Sequence, residues 1–489
     1  MTKEFDYDVV VVGAGVVGPA IATAMARAGR KVCIIERNWK RPDRIVGELL
    51  QPSGVKALVE LGLAQTINNI DAIPCEGYWI QYFGQSLRLD YITKTEAYNA
   101  SPIKPVNDCV FNDNDKVLTD KNIDAKAWYD DDLVRGVSFH NGDFLMNLRA
   151  VIKSEKNITC LTGNVFELTE EDDIVTGVKV RQEDTTKTIS SKLVIACDGI
   201  FSKLRKVVNP SPPKVESYFV GLDLHNCDFP LYKFGHVILG NHAPVLAYQT
   251  SSTEARMLCA YRSSTLPNSK DIKKYLTEEV LPCLPKPILP SFEQALEAGK
   301  FKPMPNQYLP AVKQGNKPGL VLLGDSLNMR HPLTGGGMTV GLNDAVLLAR
   351  LLHPSKIEDL SDYPKISKKL SKFHNERKKL SSVINTLSMA LYSLFAAEST
   401  PLKILQNGCF QYFMRGGDCI TGPIGLLSGM LPFPMLLFSH FFSVAFYAIY
   451  LNFAAHGVIG FPVALWEMIY TFIIAVKVFV PYLYHELFR

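Results

Sequence analysis

Residues 7–18, YDVVVVGAGVVG, decide the fold of this 489-residue chain. The apolar run from Tyr7 to Val12 predicts a buried parallel strand, and the alanine-rich segment that ends near Arg30 predicts a helix. Glycines between them let the backbone turn sharply and approach a pyrophosphate, whose charge is stabilised by the free amides of the helix N-terminus. The stretch therefore predicts a dinucleotide site on Gly13, Gly15 and Gly18.

A second strand follows and ends in an acidic residue. Lys31 to Ile35, KVCII, leads into Glu36, which stands about 20 residues past the glycines, as in dinucleotide-binding βαβ units. A carboxylate there can accept both hydroxyls of the adenosine ribose and disfavours the 2′-phosphate of NADP. A chance glycine turn is the alternative interpretation, but the register of strand, helix and acid favours a nucleotide site.

Two later glycine signatures each follow an apolar run that predicts a strand. Residues 192–197 (KLVIAC) precede the Asp-Gly turn at Asp198, and residues 319–323 (GLVLL) precede the Gly-Asp pair that contains Asp325. Residues 334–341 (TGGGMTVG) then predict the start of a helix whose amides can stabilise negative charge on a reduced flavin ring. The three signatures in this order indicate FAD in a discontinuous Rossmann-type domain, with Asp325 accepting a hydroxyl of the ribityl chain.

The composition is that of a large enzyme rather than a nucleic-acid-binding protein. The net charge is only +4 and is spread along the chain. The densest basic stretch, residues 365–379, predicts a solvated helix face, with anionic lipid headgroups as the alternative contact. The ten cysteines form no C-x-x-C pair and have no histidine at metal-ligand spacing, so they indicate reduced thiols and no metal site.

The C-terminal part of the chain carries a membrane signal. Residues 419–466 contain no Asp, Glu, Lys or Arg, and the apolar character continues to Tyr484. The run is long enough for one or two spanning helices, but we expect prolines and glycines to divide it, which suits insertion into one leaflet at least as well. These residues are Pro432, Pro434, Gly457, Gly460, Pro462 and Pro481. A buried helical subdomain is the alternative, and the polar start MTKEFD predicts no signal peptide.

Several longer strings resemble the squalene monooxygenases, also called squalene epoxidases, of the fungal type. They are residues 42–51 (PDRIVGELLQ), 142–149 (GDFLMNLR), 197–205 (CDGIFSKLR), 324–341 (GDSLNMRHPLTGGGMTVG) and 429–437 (GMLPFPMLL). The resemblance implies an FAD enzyme that transfers one oxygen atom of O2 to squalene and forms (3S)-2,3-oxidosqualene for ergosterol synthesis. It also implies electrons from a separate NADPH-dependent diflavin reductase, at the cytoplasmic face of the endoplasmic reticulum membrane, with lipid droplets as a further location.

The resemblance also assigns roles to individual residues. Tyr78 is placed beside the reacting face of the flavin, with Gln51 as its hydrogen-bond partner; without the resemblance, a packed core tyrosine and a loop glutamine would be the simpler interpretation. Besides the first three glycines, the residues that match FAD contacts or lie in the flavin motifs are Val16, Val17, Glu36, Arg37, Arg44, Arg149, Val165, Asp198, Asp325, Pro332, Gly335, Gly336, Gly337 and Met338. We expect residues 213–301 to line the substrate pocket and three aromatic residues to cover it, although each would by default be ordinary core. These are Phe395, Phe413 and Phe433.

The implied chemistry makes few demands on polar side chains. An alkene has no proton to remove, so the site needs no general base for the substrate. A C4a-hydroperoxide of the reduced flavin passes its distal oxygen to the double bond, so the site must exclude water and bind a hydrocarbon by apolar burial. No second G-x-G-x-x-G unit follows to bind NADPH, in agreement with an external electron donor.

We predict a mixed α/β (α+β) fold in three parts. The parts are a Rossmann-type FAD-binding domain of the aromatic-hydroxylase kind (1–75, 135–212 and 305–355), an inserted antiparallel-sheet substrate domain (76–134 and 213–304) and a C-terminal helical, membrane-associated region (356–489). The polar stretch 107–132 predicts an exposed loop.

One alternative is a soluble flavin hydroxylase of phenols, which would need a polar site to deprotonate its substrate. Another is a non-redox lipid carrier resembling the GDP-dissociation inhibitors, against which the intact Asp-Gly and Gly-Asp motifs argue.

Overall fold

A computed structural model of the chain describes residues 4–100, 132–263, 265–456 and 460–488. The predicted loop at 107–132 lies outside these residues except for Asp132. In chain order the described strands are β1 (Tyr7–Val12), β2 (Val32–Glu36), β3 (Leu49–Leu50), β4 (Ile73–Cys75), β5 (Gly77–Tyr82), β6 (Gln85–Asp90), β7 (Gly136–Ser138), β8 (Ile158–Thr162), β9 (Asn164–Glu171), β10 (Ile174–Gln182), β11 (Thr185–Ala196), β12 (Lys214–His225), β13 (Phe234–Leu239), β14 (Val245–Gln249), β15 (Glu254–Tyr261), β16 (Lys302–Tyr308) and β17 (Leu320–Leu322). The described α-helices are α1 (Val17–Arg27), α2 (Pro52–Glu60), α3 (Lys94–Ala100), α4 (Asn141–Ser154), α5 (Ser269–Tyr275), α6 (Leu289–Ala298), α7 (Gly336–Leu351), α8 (Tyr363–Ala396), α9 (Thr400–Met414), α10 (Asp418–Leu427), α11 (Pro434–His456) and α12 (Phe461–Phe488).

The first sheet contains the predicted nucleotide-binding strands. Its order is β8-β2-β1-β11-β10-β9, and β17 also pairs with β11. Parallel pairs join β8 to β2, β2 to β1, β1 to β11 and β11 to β17, whereas β9 and β10 extend the sheet antiparallel. Val12 is paired with Ala196, which is paired with Leu322, so three strands end side by side. Helices α1 and α7 pack together in the core beside this sheet.

The second sheet is mostly antiparallel, with the order β16-β12-β15-β14-β13-β5-β6. The pairing of β5 with β13 is parallel, which the prediction of an antiparallel sheet did not include. These two strands come from chain segments far apart in sequence, so no tight hairpin turn fixes their relative direction. Strand β16 spans the predicted domain boundary at 304/305 and pairs with β12. One face of the sheet packs on α5 and α6, and the other faces the C-terminal helices.

A buried ion pair joins the two sheet regions. Arg256 on β15 donates from Nε and a terminal nitrogen to the two carboxylate oxygens of Glu48, each at 2.8 Å, and Asp223 also contacts this guanidinium. The side chains of Arg256 and Glu48 are 6% and 1% exposed. Glu48 directly precedes β3, which forms a small antiparallel sheet with β7 and β4. The pair therefore fixes the second sheet against the segment that leads into α2.

Two long apolar helices, α11 and α12, end the described chain, and each is long and apolar enough to cross a membrane. The bent pair α8 and α9 is a third candidate by the same criteria of length and composition. Pro434 and Pro462 lie in the first turns of α11 and α12, where proline is tolerated because the amides there have no partner within the helix. The predicted break at Pro481 is wrong, because α12 continues through this residue and is held there by the buried side chains of Phe479 and Leu483.

The basic stretch 365–379 forms part of α8, which Asp362 caps by accepting a hydrogen bond from the Lys365 amide at 3.2 Å. Lys365 and Lys372 are exposed, as a solvated helix face requires. Arg377 departs from that prediction, since it is buried and bonds the carboxylate of Asp344 on α7 at 2.7 Å. Helical periodicity turns this residue toward α7 although its sequence neighbours are lysines.

Candidate flavin and substrate site

The three glycine signatures meet at the carboxyl edge of the first sheet. The amide of Cys197 donates to the carbonyl of Val12 at 2.8 Å, and the amide of Leu323 donates to Ala196 at 3.0 Å. The three motifs that follow these strands therefore begin next to one another. They are the turn that begins at Gly13, the Asp-Gly turn after β11 and the Gly-Asp pair after β17. In open α/β sheets this edge is where ligands bind.

The glycines of the first turn serve two different purposes. A Cβ on Gly13 would lie 2.6 Å from the carbonyl oxygen of Cys197, and a Cβ on Gly18 would lie 1.9 Å from that of Gly13. Gly13 also has a φ of +98°, which favours glycine. By contrast, no heavy atom lies within 4 Å of a Cβ on Gly15. The chain's own backbone requires Gly13 and Gly18, whereas Gly15 leaves open space at the N-terminus of α1.

Glu36 and Arg149 are fixed beside this turn. The Ala14 amide donates to Glu36 Oε2 at 2.8 Å, and Arg149 Nε donates to the Ala14 carbonyl at 3.0 Å. Arg149 also lies over the ring of Trp39, and its guanidinium is 3.9 Å from Glu36 Oε2. Burial lowers the pKa of Arg149, and the charge of Glu36 opposes that shift. The carboxylate keeps lone pairs for further hydroxyl donors.

Asp325 lies among three arginines. Part of its side chain is accessible to water, but protein atoms surround it closely. The resulting desolvation raises the pKa of Asp325, and the charges of Arg330, Arg44 and Arg205 oppose this rise. Arg330 is buried and donates to the Gly337 carbonyl at 3.1 Å, in the first turn of α7. A carboxylate in this position can accept a hydroxyl hydrogen bond from a polyol chain.

The same edge holds buried polar atoms for which the described residues provide no partner. They include Asp198 Oδ1, a terminal nitrogen of Arg205 and Arg330 Nε. Buried polar groups normally have hydrogen-bond partners, so these atoms, together with the open space at Gly15, fit a bound polar ligand with phosphate and hydroxyl groups. This set of donors and acceptors is compatible with FAD.

Gln51 and Tyr78, which the resemblance paired, are hydrogen-bonded to each other and buried. Gln51 Nε2 donates to the Tyr78 hydroxyl and to the Thr334 carbonyl, both at 2.6 Å. Tyr91 donates to Gln51 Oε1 at 2.6 Å, and its ring meets Tyr78 edge to face. Burial raises the pKa of Tyr78, so its phenol stays neutral at physiological pH.

This pair connects the carboxyl edge of the first sheet, which is the candidate flavin site (the flavin edge), to an apolar cluster. Thr334 and Gly335 directly precede α7, and a Cβ on Gly335 would be 3.6 Å from Gln51 Nε2. Tyr78 belongs to a buried cluster formed by the second sheet and the C-terminal helices, which also contains Phe395 and Phe413. Residues of this cluster that fall in the predicted lining segment include Phe219, Val237, Leu246, Tyr248 and Leu258.

Other predicted residues take more varied positions. Val17 lies where Cβ atoms on Gly324 and Gly341 would contact it, and Met338 Sδ lies 3.5 Å from a Cβ on Gly47. Val16, Val165 and Pro332 are half-buried, and Gly336 is buried. Val16 and Val165 pack against the core of the first sheet. Arg37 is exposed, and Phe433 is half-buried and is not a member of the Tyr78 cluster.

Sequence reasoning missed several residues that the fold brings to the site. Arg205 and Arg330 lie within the motif strings 197–205 and 324–341. Their closeness in sequence to Asp198 and Asp325 could have indicated that they belong to the site. Tyr91, which fixes Gln51, had no sequence signal because it depends on the pairing of β5 with β6. The same is true of the Glu48–Arg256 pair.

His331 supports the loop before α7. Its Nδ1 accepts from the Leu333 amide at 3.2 Å, and its Nε2 lies 3.2 Å from the Ser217 hydroxyl on β12. The ring stacks on Tyr392 of α8 with centroids 4.1 Å apart. Burial lowers the pKa of His331 to about 3, so the neutral ring joins the first sheet region, the second sheet and α8.

Comparison with known proteins agrees with this geometry. A profile for FAD-binding domains matches residues 6–122, and one for squalene epoxidases matches residues 190–466. The p-nitrophenol 4-monooxygenase PnpA of Pseudomonas putida has the same fold, with a TM-score of 0.65 over 88% of this chain and 99% of that chain at 16% identity. The chain is therefore an FAD-binding protein with the fold of flavin-dependent monooxygenases.

The curated relatives narrow this class. The squalene epoxidase of Candida albicans is 54% identical over 99% of this chain and 99% of its own length. That of Saccharomyces cerevisiae is 50% identical over 98% of this chain and 96% of its own length. The chain belongs to the squalene epoxidase family.

The two kinds of glycine can be separated by substitution. Gly18→Ala places a methyl group on the Gly13 carbonyl, so we expect a loss of about 1–3 kcal/mol in the free energy of unfolding. Gly15→Ala meets no heavy atom of the protein within 4 Å, so its unfolding without added FAD should match the wild type. FAD binding should weaken about tenfold, because the methyl group would occupy the space that we assign to the pyrophosphate. Urea unfolding and FAD release on dilution measure the two quantities. Wild-type FAD affinity in Gly15→Ala would contradict this placement of the pyrophosphate.

His331 should make stability depend on pH. Its pKa is depressed in the folded chain and about 6.5 in the unfolded chain. As the pH is lowered below about 6.5, only the unfolded chain takes up the proton, so the free energy of unfolding decreases as the pH decreases. Between pH 8 and pH 5 this costs about 2 kcal/mol. His331→Asn keeps an acceptor for the Leu333 amide but does not titrate, so it should lose about 2 kcal/mol less than the wild type over this interval in urea unfolding. Equal losses in the two proteins would show that His331 already takes up a proton when folded.

Proposed function

We propose that this protein is a squalene monooxygenase, which inserts one oxygen atom of O2 into a terminal double bond of squalene and forms (3S)-2,3-oxidosqualene for sterol (ergosterol) synthesis. The observation that carries the proposal is full-length similarity to squalene epoxidases. The buried contact between the Gln51–Tyr78 pair and an apolar cluster next to the flavin edge supports it. We further propose the division into an FAD domain (1–75, 135–212 and 305–355), a substrate domain (76–134 and 213–304) and a membrane-associated region (356–489).

The chain's contribution to the reaction is mainly binding and exclusion of water. Bound FAD, once reduced, supplies the activation of O2. The glycine turn, Glu36 and Arg149 would hold its adenosine and pyrophosphate end, and Asp325 its ribityl chain. The free amides at the start of α7, at Gly336 and Gly337, would stabilise negative charge on the ring system of the bound cofactor.

Gln51 and Tyr78 would orient the reacting end of the site. Because Gln51 donates to both Tyr78 and the Thr334 carbonyl, it fixes the phenol relative to the loop that leads into α7. The phenol remains protonated and can donate a hydrogen bond without acting as a base. Apolar burial against residues such as Phe395 and Phe413 would hold a hydrocarbon that offers no polar group.

Membrane association and an external reductase complete the proposal. Large apolar side chains of α11 and α12 face outward, among them Met435, Phe446, Trp466, Ile473 and Tyr484. We propose that they enter the cytoplasmic leaflet of the endoplasmic reticulum membrane, with lipid droplets as a further location, so that squalene reaches the site from the lipid phase. Electrons would come from an NADPH-dependent diflavin reductase. A phenol hydroxylase and a non-redox carrier are not favoured by the family assignment.

Reconstitution tests the activity directly. Detergent-purified protein is incubated with FAD, NADPH, a diflavin reductase, O2 and squalene, and the extracted lipids are analysed by mass. We expect 2,3-oxidosqualene, and none when the reductase is omitted. A bound flavin that consumes NADPH and releases only hydrogen peroxide would point to another hydrophobic alkene, whereas protein without flavin absorbance would revive the carrier hypothesis.

Tyr78→Phe tests the role of the phenol. The ring and its packing remain, but Gln51 loses one acceptor, so we expect the amount of epoxide formed per NADPH to fall about tenfold, as for the loss of one buried hydrogen bond. FAD release on dilution should stay as in the wild type. Tyr82→Phe, on the same strand and outside the Gln51 contacts, serves as the control. Unchanged coupling in Tyr78→Phe would remove the phenol from the mechanism.

A further inference from the structure

A chain of buried polar groups runs from the end of α12 into the protein. Glu486 is only 4% exposed and Asn385 on α8 is fully buried. Asn385 Nδ2 donates to Glu486 Oε2 at 2.9 Å, and the Tyr308 hydroxyl on β16 donates to Oε1 at 3.1 Å. A carboxylate on the most apolar part of the chain is therefore held by two separate elements of the catalytic body.

The chain continues to the flavin edge. Asn385 Nδ2 also donates to Asn328 Oδ1 at 2.9 Å, and the same oxygen accepts from Arg330 at 2.6 Å. The other terminal nitrogen of Arg330 donates to the Gly337 carbonyl. Gly337 belongs to the N-terminal turn of α7, whose amides we assign to the flavin. Hydrogen bonds thus connect α12 to this turn without a gap.

Charge balance points to the same connection. Burial lowers the pKa of Arg330, while Asp325, Asp344 and Glu486 raise it and Arg377 lowers it. Asp344 is already engaged by Arg377 in a buried pair. Removing the Glu486 carboxylate leaves Arg330 and Arg377 with less compensation in a low-dielectric region, which is costly. We expect Arg330 to respond by shifting toward Asp325, the group we assign to the ribityl chain.

We infer that Glu486 is a positioning residue for FAD, acting through Asn385, Asn328 and Arg330 on the first turn of α7. Seating of the C-terminal apolar helix on the protein is then coupled to flavin binding. The proposal goes beyond the proposed function and needs only the FAD site, so it stands or falls independently of the substrate and of the roles of Gln51 and Tyr78.

FAD release from the full-length holoenzyme in detergent tests this proposal. Glu486→Ala should bind FAD about tenfold more weakly, as expected for loss of a buried hydrogen bond to a charged group, with an altered visible spectrum of the bound flavin. Glu486→Gln keeps an acceptor for Asn385 and should recover part of the affinity. Glu467→Ala is the matched control, because this carboxylate lies on the same helix but bonds Asn452 on α11 at 2.7 Å; its FAD affinity should stay within about twofold of the wild type, since that bond is remote from the flavin edge.

A double-mutant cycle separates positioning from general loss of stability. In an Arg330→Met background, Glu486→Ala should have little further effect on FAD affinity if it acts through Arg330. An equal effect in both backgrounds would overturn the proposal. So would a Glu486→Ala protein with wild-type FAD affinity and spectrum, or equal weakening by Glu467→Ala. If Glu486→Ala does not fold, Glu486→Gln is carried through the same cycle, with the same outcomes deciding.

Discussion

Parallel pairing of β1, β11 and β17 is the constraint on which the rest of the structure depends. The three strands are far apart in the sequence. Their paired positions Val12, Ala196 and Leu322 nevertheless lie in one row across the sheet. Since parallel strands end at one edge of a sheet, each motif that follows a strand is delivered to the same place. A change of one residue in this register would reverse the side-chain faces of a strand and disperse the site.

The close approach of backbones at this edge explains why some glycines are needed whether or not a ligand binds. Gly13 and Gly18 have no room for a side chain because the chain packs on itself. Gly15 has room within the protein, and we propose that the bound cofactor is the reason for its small size. The dinucleotide fingerprint therefore combines a folding requirement and a binding requirement in one turn.

Polar contacts and apolar packing join the two sheets and the C-terminal helices at different places. The Glu48–Arg256 pair fixes the second sheet against the segment before α2, and Gln51 fixes Tyr78 against the loop before α7. Apolar residues of the second sheet and the C-terminal helices fill the space beyond Tyr78. Directional bonds thus set positions near the flavin edge, while the non-directional packing suits a hydrocarbon.

The amino-acid sequence by itself determined the nucleotide-binding strands, the acid at Glu36 and the apolar C-terminal region, because each depends on local periodicity or spacing. It also indicated Gln51 and Tyr78, but only through resemblance to a family. The tertiary structure decided that Tyr91 donates a hydrogen bond to Gln51 and that Asn385 donates one to Glu486. It also decided that Arg377 is buried against Asp344, although the residues that follow it in the sequence are lysines. Those contacts depend on pairing and packing between distant segments, and no local pattern of residues encodes which distant partner a side chain will meet.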